Sequence, residues 1–366
     1  MQQDPGSIVP FFHNLVEPAE LIQHFQKSPP EGFLVLNLAS NAPAFSMKFD
    51  LLTTMEPATR RKLEALPFSR CWRRLLHPWT CFVGTTVSEY APFPISTPPE
   101  TLLKELLADK VALYPFLIIK DIPTEPTLVG DTSYVYSQHL VELCRKNGFV
   151  IVEGQALAYV PIDFDSTSNF LLRLSRVRRK DIRRKLKSTS LLDIEAIPVG
   201  DARFSDEARL EMLYSLYLNV YRQSEIHFDL LTPAFFKSLL QDTSVDGVVF
   251  MYSAESKLIG YNICYVERER LVDKYVGFMY PQARDYNLYT VSWFHNLEYA
   301  LAHGLRCYVV GWTDPEIKRS LGARFTWTQH AVYARNPFVR KILRSSRRFF
   351  EADNQWQSRH VSATHT

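Results

Sequence analysis

Twice along this 366-residue chain an apolar strand, an amphipathic helix, a helix-stopping glycine and a second apolar strand follow one another in the same order. Ile119 and Leu140 stand 21 positions apart, as do Val276 and Leu297, and the glycines after the two helices are Gly148 and Gly304. A chain that alternates between the period of a strand and that of a helix must bury a sheet under helices, which makes the fold α/β (α+β) with a mixed sheet. Ser137–Gly154 and Trp293–Gly311 read as equivalent units, and a duplicated domain is the economical explanation. Two unrelated segments sharing a common α/β order are the alternative.

Other elements fit the same grammar. Leu34–Leu38 and Ala112–Ile119 read as strands, Pro57–Ala65 as a helix, and Tyr136–Lys146 as a helix stopped by the left-handed signal Asn147-Gly148, with a strand resuming over Phe149–Val152. Leu271–Phe278 and Leu305–Val310 read as strands on either side of a helix over Thr290–Ala302. Between the repeats, Asn169–Lys187 predicts a helix that carries nine basic residues and one acid from Arg173 to Lys187. Leu172, Val177, Ile182 and Leu186 recur at roughly helical intervals for an inward face. A helix over Asp206–Arg222 follows, and Thr232-Pro233 is an N-cap and first-turn pair that opens another.

Composition narrows the class of protein. With 46% hydrophobic and 13% aromatic residues there is ample material for well-buried cores, and a net charge of +3 says little about partners for the chain as a whole. The five cysteines are Cys71, Cys81, Cys144, Cys264 and Cys307, odd in number and mostly in apolar contexts, as expected of buried thiols in a reducing compartment. No clustered His/Cys set has metal-ligand spacing, so no metal site is expected. Met1–Pro10 lacks the pattern of a signal peptide and no run of 18 apolar residues occurs, which makes a cytoplasmic, non-spanning protein the expectation. Neither G-x-S-x-G nor G-x-x-x-x-G-K-[ST] is present, so serine-hydrolase and P-loop chemistry are set aside.

The ordered series FLLRLSRVRRKDIRRKLK, YSLYLNVYRQSEIHFDLLTPAFFKSLL, DKYVGFMYPQARDYNLY, EYALAHGLRCYVVG and PEIKRSLGA, covering about 170–333, resembles the FemABX-related family of the GNAT superfamily. The resemblance implies tandem GNAT-like domains with mixed β-sheets, here joined by the basic helix. The expected boundaries are 1–168 for an N-terminal half, 169–189 for the connecting helix, 190–345 for the C-terminal acyltransferase domain and 346–366 for a flexible tail. It also implies transfer of an acyl or aminoacyl group to an amine, with acyl-CoA or aminoacyl-tRNA as the co-substrate and no permanently bound cofactor.

Such a transfer needs an anchor for donor phosphates, stabilisation of an oxyanion, and removal of a proton from the attacking amine. The resemblance places Lys318, just before the Leu321-Gly322 turn, where a lysine stabilises the reacting carbonyl or a nearby phosphate. The Q/R-x-x-G-x-G/A run of a coenzyme-A site is absent, leaving Lys318, Arg319 and the helix cations Arg179, Arg183 and Arg184 as phosphate ligands. In the strand Asp273–Gly277, alternation puts Asp273, Tyr275 and Gly277 on one face, where Asp273 or Tyr275 would meet the acceptor, or else form a cross-strand polar pair. Tyr289 occupies an aromatic position of the resembled motif. His227 and Arg222 lie in a polar loop between two helices, His227 as a general base or as a histidine packed beside Phe228 and Phe235. His295 and Glu298 form an i, i+3 pair. Glu89, in the turn-rich 85–94 segment, is a candidate for acceptor recognition or part of a surface connection.

The leading expectation is an N-acyltransferase in which a small-molecule or peptide amine attacks a CoA-type thioester directly, since no cysteine has a nucleophile's context. The alternatives are an aminoacyl-tRNA-dependent aminoacyltransferase acting on a peptide or cell-wall precursor, and a non-catalytic GNAT-like module that binds nucleic acid or a membrane surface. The basic helix fits tRNA, and 335–348, with six basic residues, no acid and interleaved Phe338, Ile342 and Leu343, fits an anionic membrane or an acyl carrier protein.

Overall fold

Both helix-stopping glycines adopt the left-handed backbone that the pattern demands, Gly148 at φ 86° and Gly304 at φ 66°. The computed structural model describes residues 11–51, 77–224 and 228–346. The helix expected over 57–65 and His227 lie outside these residues. The chain forms two compact units that are interleaved along the sequence: unit 1 comprises Met1–Leu15, Gly32–Ala156 and Thr326–Thr366, and unit 2 comprises Val16–Glu31 and Leu157–Phe325. The boundaries expected at 168 and 190 therefore both fall inside unit 2.

From the N-terminus, β1 (Phe12–His13) belongs to unit 1, and the chain then contributes α1 (Glu20–Lys27) to unit 2 before returning. Unit 1 continues with β2 (Leu34–Leu36), β3 (Ala44–Lys48), β4 (Trp79–Val83), β5 (Phe93–Pro94) and α2 (Pro99–Glu105), which runs through a π-helical turn into α3 (Val111–Leu113). Then come β6 (Phe116–Pro123), α4 (Asp131–Lys146) and β7 (Val150–Pro161), along which the chain passes into unit 2. The expected strand at Ala112 begins only at Phe116, because Ala112 and Leu113 complete α3.

Unit 2 then holds α5 (Thr167–Leu172), α6 (Arg176–Leu186), β8 (Asp193–Pro198), α7 (Glu207–Gln223), α8 (Pro233–Leu240), β9 (Gly247–Ala254), β10 (Lys257–Glu267) and β11 (Arg270–Phe278). It ends with α9 (Gln282–Asp285), α10 (Leu288–Ala302), β12 (Cys307–Gly311) and α11 (Pro315–Ser320). β13 (Arg324–Ala334) and α12 (Pro337–Ser346) close the chain.

In unit 1 the strand order is β2-β3-β4-β6-β13-β7, with β4 and β6 parallel. In unit 2 it is β7-β12-β11-β10-β9-β8, with β11 and β12 parallel. Each sheet thus contains one parallel neighbouring pair, joined by a helical crossover as parallel strands require. This shared topology corrects the pairing of Gly148 with Gly304. Gly304 ends α10, the crossover between β11 and β12, whereas Gly148 ends α4, which follows the second strand of the pair β4/β6. The counterpart of α10 is α2–α3, so the spacing match came from α/β grammar rather than from equivalent positions.

The core of unit 2 gathers Phe250, Tyr252, Leu271, Trp293, Phe294, Leu297 and Tyr308 between the sheet and α10. On the opposite face, Tyr261 donates to the Leu213 carbonyl of α7 at 3.0 Å, and its ring meets Phe236 of α8. Thr232 caps α8, its hydroxyl accepting from the Phe235 amide at 3.2 Å.

The basic segment is two helices rather than one, because Ser175 takes an extended conformation and caps α6. That break turns Leu172 (63% exposed) and Val177 (79%) to solvent, leaving Ile182 buried and Leu186 packed at the core margin. The basic helix lies within unit 2, after the strand that carries the chain into it.

Candidate active site

The two parallel strands of unit 2 part at one point. Their pairing runs from Arg270 with Cys307 to Val272 with Val309 and stops there, although β11 continues to Phe278. Asp273 is the next residue on β11. On the other edge of β12 the register with β7 shifts between Val309 and Gly311, so Val310 has no register partner in either ladder. Its carbonyl is satisfied instead by Lys318, whose Nζ donates to it at 2.9 Å. Gly311 then turns at φ 83°, a conformation that strains any side chain.

Lys318 is buried, with 4% of its surface exposed. It sits in α11, only six residues long, and its ammonium acts electrostatically on Asp273.

Polar side chains surround the Asp273 carboxylate. Asn296 Nδ2 and the Tyr308 hydroxyl each donate to Oδ2 at 3.0 Å, and Asn296 Nδ2 also donates to the Tyr308 oxygen at 3.0 Å. Asn262 Nδ2 reaches Oδ1 at 3.5 Å, and the Asn262 carbonyl accepts from Tyr252 at 2.9 Å. Burial pushes the carboxyl up, hydrogen bonds from Tyr308 and Asn262 and the Lys318 charge pull it back, and the balance leaves it at about 6. Asp273 nonetheless keeps part of its surface open. A carboxyl that titrates near neutrality is suited to proton transfer.

Asn262, Asn296 and Tyr308 were not singled out by the sequence reading. Their signal was polarity where an apolar residue belongs: Asn296 interrupts the buried face of α10, and Asn262 stands among the buried residues of β10.

The expected shared face of Asp273 and Tyr275 does not form. Tyr275 pairs with Ile263 and Asp273 with the next residue, Cys264, so Lys274 is the extra residue of a β-bulge. A bulge resets alternation, and Tyr275 turns to Phe235 of α8 while Asp273 faces α10. Tyr289, in the first turn of α10, is half-buried; burial raises its hydroxyl, with Asp314 and Asp273 adding to the effect.

The remaining candidates are dispersed. Arg222 is exposed at the end of α7, and Glu89 is buried in unit 1. His295 packs against Phe250 at 4.8 Å, its basicity lowered by burial, while Glu298 accepts from Thr167, so they do not act as a pair. Arg179 donates to the Leu174 carbonyl at 2.7 Å and caps the turn after α5. Arg183 and Arg184 are exposed, Arg184 bonded to Asp181 at 2.7 Å, and the Arg319 carbonyl accepts from Arg178 at 3.5 Å.

Burial pushes the Cys81 and Cys144 thiols up to about 12 and Cys307 to about 11, and Cys264 also rises, so none of the four is an activated nucleophile. Among the described residues, no helix is long and apolar enough to cross a membrane and no group of three or more His, Cys, Asp or Glu side chains is placed to hold a metal ion.

This architecture recurs in known proteins at very low sequence identity. The C-terminal domain of a putative lysylphosphatidylglycerol synthetase from Agrobacterium fabrum superposes with a TM-score of 0.52 at 11% identity, covering 86% of this chain and 92% of that one. L-PGS from Bacillus licheniformis superposes with a TM-score of 0.52 at 9% identity, covering 92% of this chain and 98% of that one. No curated protein matches the chain in sequence. The FemAB-like family model, described as peptidoglycan biosynthesis/recognition, matches residues 124–365. That match spans more than half of the chain, which therefore belongs to the FemAB-like family and is an acyl- or aminoacyl-transferase.

Proposed function

We propose that the polar site around Asp273 transfers an aminoacyl group from an aminoacyl-tRNA to an amine on a peptide or cell-wall precursor. The amine nitrogen attacks the ester carbonyl, the bond to the ribose oxygen breaks, and that oxygen leaves with a proton. Asp273 accepts the proton of the attacking ammonium, and the Lys318 charge stabilises the oxyanion. Asn296 Oδ1, buried without a hydrogen-bond partner, is an acceptor that a donor at the site would satisfy.

The donor assignment rests on the missing glycine-rich run. A coenzyme-A pyrophosphate would be held by a glycine-rich turn with backbone N–H groups aimed at it. Here no Q/R-x-x-G-x-G/A run is present. The cations stand instead on α6, where exposed arginines suit a polyanionic donor. The neighbouring fold named as a putative lysylphosphatidylglycerol synthetase supports an aminoacyl donor.

Thermal melting of the full chain with each donor tests the assignment. A molecule that binds only the folded state raises the melting temperature. Charged tRNA should do so in a salt-sensitive manner and CoA thioesters should not. Stabilisation by CoA thioesters with no effect of charged tRNA would overturn the donor assignment.

A further inference from the structure

The end of β13 brings two exposed apolar elements of unit 1 to one place. The Arg335 amide donates to the Pro115 carbonyl at 2.9 Å, and its guanidinium donates to the Ala112 carbonyl at 2.8 Å. This holds the start of α12 beside the end of α3. Leu113 on α3 is 69% exposed, and on α12 Phe338 is 69% and Ile342 48% exposed. Phe338 and Ile342 are four residues apart and share a helix face. Its other side turns inward, where Arg340 stacks over Tyr333 at 4.6 Å.

Cations border the apolar face. At 100° per residue along α12, Lys341 falls beside the Phe338–Ile342 stripe with Arg344 beyond it, and Arg335 precedes the helix. Between Arg335 and Ser346 there is no acidic residue. An apolar stripe edged by cations of one sign is the complement of an anionic bilayer, whose headgroups meet the charges while its acyl boundary takes the apolar side chains.

We infer that α12, with Leu113 beside it, is a docking surface for an anionic lipid membrane. Phe338 and Ile342 enter the headgroup boundary, and Lys341 and Arg344 pair with lipid phosphates. The inference does not depend on the donor assignment. RNA would use the cations but gain nothing from two inserted apolar side chains, and an acidic protein would give no binding to protein-free vesicles; those differences set the test.

The full chain is sedimented with vesicles of phosphatidylcholine, alone and mixed with phosphatidylglycerol. Binding should appear only with the anionic lipid. Lys341→Gln/Arg344→Gln should weaken it roughly thirtyfold, and Phe338→Ser/Ile342→Ser at least about tenfold. Both pairs are exposed, so melting temperatures should stay unchanged. Failure of the unaltered chain to sediment, equal binding to neutral vesicles, or binding indifferent to Phe338→Ser/Ile342→Ser would each overturn the inference. So would competition by tRNA that is equally strong with and without Phe338 and Ile342, because it would assign the surface to nucleic acid.

Discussion

A lysine is seldom buried without a reason, and Lys318 has a visible one in the Val310 carbonyl, which belongs to neither neighbouring ladder. Lys318→Met keeps much of the stem but removes the donor and the charge. Leaving a buried carbonyl without its donor costs about 1–3 kcal/mol, so the melting temperature should fall. Loss of an oxyanion-stabilising charge should also lower kcat/KM roughly a hundredfold or more, measured below the variant's melting transition. Lys318→Arg should rescue only partly, because a planar guanidinium does not reproduce the ammonium's geometry. A Lys318→Met enzyme that melts earlier but turns over normally would confine the residue to structure. Lys318 and Asp273 of the candidate site were singled out in the sequence, the first through resemblance and the second through its strand. Their polar neighbours were not, because single asparagines and tyrosines in apolar runs show their partners only after β10, β12 and α10 come together.

At the scale of elements, the sequence reading succeeded where local chemistry decides the outcome. Thr232-Pro233 and the two glycines marked helix ends because capping and left-handed backbone are local matters. It failed where tertiary contacts decide. The bulge at Lys274 comes from the register between β10 and β11, and nothing in DKYVG announces it. In the basic segment, Ser175 offered a cap that the run of cations obscured, and the break left the arginines with unequal tasks. Arg179 caps the preceding turn, so its loss should cost stability. Arg183 and Arg184 are exposed, so Arg183→Gln/Arg184→Gln should leave folding intact and weaken charged-tRNA binding. For every arginine that pairs with a phosphate, its replacement should flatten the slope of log affinity against log salt by roughly 0.7–0.9. An unchanged slope would make α6 a solvated face.

The molecule as a whole repeats a topology, a parallel strand pair joined by a helical crossover, once in each unit, yet only unit 2 sets Asp273 and Lys318 at the point where the pair ends. The repeated strand–helix–strand order was readable in the sequence, but its alignment was not, because α4 and α10 share a spacing although only α10 joins two parallel neighbours. Asp273 likewise owes its character to the assembled unit: burial by the sheet and α10 raises it, and Tyr308, Asn262 and Lys318 limit the rise. A carboxyl raised to about 6 binds its proton more tightly folded than unfolded. Its contribution to stability is therefore full below the ordinary carboxylate range and is lost as pH rises toward about 6. Activity runs the other way, since a base must be deprotonated. The most direct test of Asp273 as the proton acceptor is the pH dependence of kcat/KM for the unaltered enzyme and for Asp273→Asn, an amide that can still accept from Asn296 and Tyr308. The unaltered enzyme should gain rate through about pH 6 and then level off, while the variant should be slower by about 10²–10⁴-fold with that rise abolished. An Asp273→Asn enzyme with the unaltered rate and the same inflection would contradict the assignment.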